Sequence, residues 1–132
     1  MSSASLISTR QVEDFQRDGA LCIRKALTAA QVQRLRAGID ANLANPSPRA
    51  KVASRAGDPG FFIEDFCNWQ GNEAYRDVIV NSSLAPIAGA LMQSQSVRLY
   101  HDHMLTKEPG TVQRTPWHQD QPYYNIEGEQ NV

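Results

Sequence analysis

The sequence predicts an α+β fold, with helices in its first part and strands in its last. Two observations carry that expectation. Capped helical stretches dominate from Thr9 to Met92, and the longest run of β-favouring residues without Gly or Pro, "SVRLYHDHMLT", comes only at Ser96 to Thr106. No internal repeat or low-complexity segment interrupts the 132 residues, which is the length of one domain.

Thr9 to Arg17 is expected as a short helix, with Ser8 or Thr9 as N-cap and Gly19 just past its end. In "GALCIRKAL", Leu21 and Ile23 alternate as on a half-buried strand. Thr28 opens a second helix, and Gln31 completes a capping box. Val32, Leu35, Ile39 and Leu43 then form an apolar stripe, which Pro46 and Pro48 bring to an end. Residues 44 to 60 are loop-like, and "RAGDPG" is turn chemistry. "FFIEDFCNW" fits either a strand or a short irregular segment. Asn72 to Val80 and Ser83 to Met92 are two further helices, Pro86 being tolerated in a first turn. After the Ser96 to Thr106 strand, "KEPGT" makes a turn or longer loop. Pro116 to Ile126 is expected to be extended, as an edge or bulged strand because of Pro122, and "NIEGEQ" closes it in another turn.

Composition narrows the function. Hydrophobic residues make up 41% and charged residues 20%, the balance of a soluble globular chain rather than a disordered one. A net charge of −1 with both signs interspersed argues against a nucleic-acid surface. Runs such as "LAPIAGALM" are too short to span a bilayer. "MSSASLIST" lacks the basic and apolar regions of an export signal, so the cytoplasm is the expected location. Cys22 and Cys67 have no metal-type spacing and are expected to be reduced and partly buried.

The chemistry concentrates in "TPWHQDQPYYNIEG", Thr115 to Gly128. On an extended segment His118 and Asp120 project to one side, presenting an imidazole and a carboxylate together, with Gln119 pointing away. Non-haem iron(II) oxygenases bind the metal through two His and one carboxylate. The spacing by itself is equally that of a polar pair on an exposed strand, because such pairs arise often by chance.

"YHDHMLTKEPGT" followed by "TPWHQDQPYYNIEG" resembles the phytanoyl-CoA dioxygenase family of Fe(II)/2-oxoglutarate oxygenases, and "FQRDGALCIRKAL" resembles that family's opening helix and strand. The resemblance implies a double-stranded β-helix, a jelly-roll or cupin-like barrel, of which this chain would hold the first strands. It implies His118 and Asp120 as iron ligands and Met104 as a residue lining the 2-oxoglutarate pocket. Asp102 and Thr106 share the Met104 face by alternation, so either is a candidate contact, and Gln119 would lie close to the co-substrate. Fe(II), 2-oxoglutarate, O₂ and a small or acyl-type substrate are the implied partners. Asp120 favours hydroxylation over halogenation, since a halogenase needs that carboxylate absent.

Several neighbouring residues have simpler readings. His101 and His103 face away from Met104 and read as structural or surface histidines. Lys107 reads as solvated or as an attractor of an anionic substrate. Trp117, Tyr123 and Tyr124 read as substrate-pocket rings or as ordinary packing.

The sequence departs from the family pattern after the pair. The family's third ligand is a His on a later strand, with an Arg beyond it that holds the far carboxylate of 2-oxoglutarate. Residues 121–132 contain neither. The chain is therefore expected to be the N-terminal half of such a domain, inactive alone and prone to self-association through an open sheet edge. Completion of the site by His101 or His103 is the alternative. Two other function classes compete: a non-catalytic binding domain on the same scaffold, and a cupin-like site for another divalent metal.

Overall fold

The computed structural model describes residues 6–128 and 130–132. Residues 1–5, most of the stretch read for an export signal, and position 129 of the closing turn lie outside the described residues. The architecture is α+β. The helices are α1 (Thr9–Asp18), α2 (Ala29–Ala44), α3 (Glu73–Asn81) and α4 (Leu84–Leu91). The strands β1 (Lys51–Val52), β2 (Phe62–Phe66) and β3 (His103–Lys107) form one open antiparallel sheet in the order β1-β2-β3.

Local chemistry sets the helix boundaries. Ser8 caps α1 and Thr28 caps α2, each accepting from the N–H three residues on while Gln11 or Gln31 reaches back, so both starts are full capping boxes. Gly19 ends α1 in the left-handed conformation, φ 71°, and its N–H bonds the Phe15 carbonyl. Asn72 caps α3 by accepting from Ala74 and Tyr75.

Two packing units follow. Helices α1 and α4 enclose a core of Ile7, Ile87 and Leu91, with Phe15, Leu21 and Ile23 packed against it. Leu21 and Ile23 are thus covered as expected, but they belong to no strand: no ladder partner reaches them, and burial alone does not make a sheet. Helix α2 lies against α3 at Gly38, where an added Cβ would come 2.8 Å from that of Ala74. Leu35, Ile39 and Leu43 of the expected apolar stripe are half-buried, and the fully buried positions lie beside it. Gly38 and Asn42 are buried while Val32 is 38% exposed. A small residue is needed at the crossing, and a polar one reaches the sheet.

The strand expected from Ser96 to Thr106 pairs only over its last part, in β3. Its partner β2 is five residues long and ends where Cys67 turns left-handed, φ 57°, so residues before His103 meet no ladder beyond one bond from the Cys67 N–H to the Asp102 carbonyl. Val97, Leu99 and Tyr100 are exposed. The open question at "FFIEDFCNW" resolves as strand β2 followed by that turn. Cys22 and Cys67 are both exposed, contrary to the expectation of partial burial. Each lies on a connection rather than on a core face. Among the described residues no helix is long and apolar enough to cross a membrane.

Candidate metal centre

The His118–Asp120 segment is a strap between two anchors. At its start the Lys107 ammonium, over the Phe62 ring at 4.6 Å, donates to Thr115 Oγ1 (2.9 Å) and to the Gln113 carbonyl (3.3 Å). Lys107 is therefore tied to the strap while its side chain stays exposed. At its end the strap closes into a 3-10 turn, Gln121–Tyr123, with Pro122 in its first positions. This turn interrupts the extended conformation expected for Pro116 to Ile126, which forms no strand. Pro122 has no N–H for a ladder and its fixed φ suits a turn.

The turn still brings the pair together. Asp120 adopts helical angles (φ −76°, ψ −34°), and its side chain makes no capping bond. Its Oδ1 lies 3.2 Å from His118 Nε2, with the side chains 46% (His118) and 64% (Asp120) exposed. His118 Nδ1 lies 2.8 Å from the Pro116 carbonyl oxygen, which can only accept, so Nδ1 carries the proton and Nε2 of the neutral ring holds a lone pair. Nε2 thus stands beside a carboxylate oxygen, a pair that either a shared proton or a cation between them makes attractive. Two ligands bound at right angles with lengths of about 2.1 Å stand about 3 Å apart, so the spacing fits neighbouring positions on one metal. An imidazole whose other N–H is held by a backbone carbonyl is also the usual state of a ligating His.

A third donor is not assembled. Among the described residues no group of three His, Cys, Asp or Glu side chains is placed to hold a metal. His103 stacks on Phe66 at 4.0 Å and pairs with Glu64 at 3.4 Å. His101 contacts Tyr100 (5.0 Å) and Tyr124 (5.5 Å). Both serve packing.

Strand alternation holds along β3. Met104 is buried opposite Asp65 on the face that α2 covers, and the Thr106 hydroxyl touches its sulfur at 2.9 Å. His103 and Lys107 lie on the other face, against Phe66 and Phe62. The Asp102 carboxylate accepts from the N–H groups of Asn68 and Trp69, both at 3.1 Å. Gln119 and Tyr123 are exposed, Trp117 fully so, and of the three aromatic residues only Tyr124 is packed, against Tyr100 and His101.

Sequence reasoning missed Asp65. It is 0% exposed and accepts from Asn42 Nδ2 (2.8 Å), the Ser47 N–H (2.8 Å), Ser47 Oγ (2.6 Å) and the Phe66 N–H (2.8 Å). Burial pushes its carboxyl up, but hydrogen bonds from Ser47, Asn68 and Asn42 outweigh this and hold it well below the ordinary carboxylate range. Tyr75, which donates to Asn42 Oδ1 at 3.2 Å, has its phenol pushed up to about 12 by burial first and by the charges of Asp102 and Asp65 second. Ile63 and Asp65 share one face of β2 by alternation, so a lone acid on an apolar strand face was the available signal. An open groove lies above this network, lined by Gly38, Asn42, Ser47, Asn68 and Asn72 among others, and neither His118 nor Asp120 borders it.

The family model described as Phytanoyl-CoA dioxygenase (PhyH) matches residues 15–132. The chain belongs to this family, whose members are in general Fe(II)/2-oxoglutarate-dependent oxygenases. No curated protein and no solved structure matches it.

Proposed function

We propose that this chain serves a dioxygenase that uses Fe(II), 2-oxoglutarate and O₂ to hydroxylate a small or acyl-type substrate, with His118 and Asp120 as two of the three protein ligands. Family membership supports the reaction class. The observation that carries the assignment is the 3.2 Å approach of His118 Nε2 to Asp120 Oδ1 on an exposed segment. Bound iron would supply oxygen activation coupled to decarboxylation of the 2-oxoacid. The chain's own part is to fix the ring's orientation through the Nδ1 contact to the Pro116 carbonyl, which leaves Nε2 as the ligating atom, and to bring one negative charge beside it. Met104 and Thr106, with Asp102 continuing their face and Gln119 between the ligands, are the co-substrate residues of this proposal. The first two share a face of β3, while Asp102 would act through the 68–69 turn it holds.

The proposal also makes the open sheet the first strands of a double-stranded β-helix. It takes the third ligand and the Arg for the far carboxylate from sequence beyond Val132. Reading the coding DNA downstream tests the second point directly. In the extended product, Fe(II)-dependent succinate formation is expected and is lost in His118→Ala and Asp120→Ala. Turnover retained in both variants overturns the assignment. A metal other than iron in anaerobically purified protein points instead to a cupin-like site.

A further inference from the structure

We infer that Tyr124 and Lys107 are positioning residues that hold the His118–Asp120 pair from its two ends. The pair sits on an exposed strap with little burial of its own, so its geometry must come from the strap's attachments. At the C-terminal end the Tyr124 ring is tilted against Tyr100 at 5.1 Å and meets His101 edge-on at 5.5 Å. Tyr100 and His101 lie just before β3, on backbone tied to the Cys67 turn by the Asp102 carbonyl and carboxylate. The link from Tyr124 back to Asp120 is short and stiff. The Tyr123 N–H bonds the Asp120 carbonyl at 2.9 Å, the Tyr124 N–H bonds the Gln121 carbonyl at 3.2 Å, and Pro122 lies between. At the N-terminal end the Lys107 ammonium bonds Thr115 and Gln113, three and five residues before His118. Both anchors belong to the β3 region, so strap and sheet move as one body. The consequence for a metal rests on the iron-site reading above, whereas the consequence for the strap does not.

Backbone ¹⁵N relaxation of the 132-residue chain tests the anchoring without any metal. Amides 117–121 are expected to show order parameters near about 0.85 in the parent and below about 0.6 in Tyr124→Ala. Tyr124→Phe retains the ring contacts and should restore the parent value, which a role carried by the hydroxyl would not allow. Lys107→Met retains the stem over Phe62 while removing the ammonium, and should loosen residues 113–118. Unchanged order in Tyr124→Ala, with an unchanged thermal midpoint showing that the fold persists, overturns the inference. A Co(II) titration followed by Trp117 fluorescence separates the two readings. Weakening of about tenfold in Tyr124→Ala, with recovery in Tyr124→Phe, supports positioning of the ligands. Co(II) binding lost in His118→Ala but unchanged in Tyr124→Ala overturns positioning and leaves the iron site standing. Co(II) binding unaffected by His118→Ala overturns the iron site, and the relaxation data still decide the strap.

Discussion

Asp65 and Asp120 are the same side chain in opposite circumstances. Asp65 is wholly buried and spends its lone pairs on four donors from α2, the 45–48 loop and its own strand. Asp120 is mostly exposed, and among the described residues its side chain meets one group, the Nε2 of His118, at 3.2 Å. A buried carboxylate is tolerated only when donors replace its water, and once saturated it has nothing left for a ligand. An exposed one held in place costs little and keeps its oxygens for an arriving cation. In this chain saturation marks the structural carboxylate, and the exposed one is that proposed above to carry function.

The largest effect should come from breaking the saturated side of that contrast. Asp65→Ala strands the Asn42 amide and both Ser47 donors under α2, and a loss of about 3–4 kcal/mol is expected in urea denaturation followed by circular dichroism. A loss below about 1 kcal/mol would mean that the network is dispensable. The pH dependence follows the same logic. The folded carboxyl ionises well below its ordinary value, so its contribution is complete above about pH 4 and declines as the pH falls below that, a decline that Asp65→Asn should flatten. Tyr75 works at the other end. Its phenol is pushed up to about 12, so stability held below about pH 10 is lost as the pH rises from there through the folded value. Denaturation midpoints of Tyr75→Phe across that alkaline range should lack this loss.

What could be read in the sequence divides along the same line of local against distant partners. The cap at Thr28 and the stop at Gly19 depend on residues within a few positions and were legible. Ser8 was one of two candidates with Thr9, and Asn72 read as the first residue of its helix and not as its cap. Strand length was not legible, because β-propensity at Val97 to Tyr100 cannot show that β2 ends at Cys67 and leaves them without a partner. Asp65 was not, because its donors Asn42 and Ser47 lie 23 and 18 residues upstream. The His118–Asp120 pair was legible although its backbone was not. A spacing of two on an extended segment and a short turn at Asp120 both bring the side chains together, and the structure uses the turn.

Asp102 sharpens the comparison by standing between its extremes. It is half-buried, and its two oxygens accept one backbone N–H each, from Asn68 and Trp69. Asp102→Ala removes both acceptors from a turn that Arg49 grips from the other side, through the carbonyls of Phe66 and Cys67. Partial access to water limits the loss to about 1–2 kcal/mol, and Asp102→Asn should recover part of it by restoring one acceptor. A loss as large as that of Asp65→Ala would show that the 67–69 turn, rather than the buried network, holds the sheet to the helices.

The smallest effect on stability should come from the pair proposed to carry the chemistry. His118→Ala removes one contact to the Pro116 carbonyl and one to Asp120, all in side chains near half exposure or beyond. Exposed pairs of this kind contribute about 0–1 kcal/mol, and water replaces what each loses. Asp120→Ala also leaves the 3-10 turn unharmed, because the Tyr123 N–H bonds the backbone carbonyl of Asp120 and the side chain makes no cap. Both variants should therefore unfold within about 0.5 kcal/mol of the parent in the same urea experiment. In the extended product both should abolish Fe(II)-dependent succinate formation. The two readouts must separate for the contrast to hold. If either substitution costs stability on the scale of Asp65→Ala, the pair is a structural tie, and its exposed oxygen and nitrogen are not reserved for a metal.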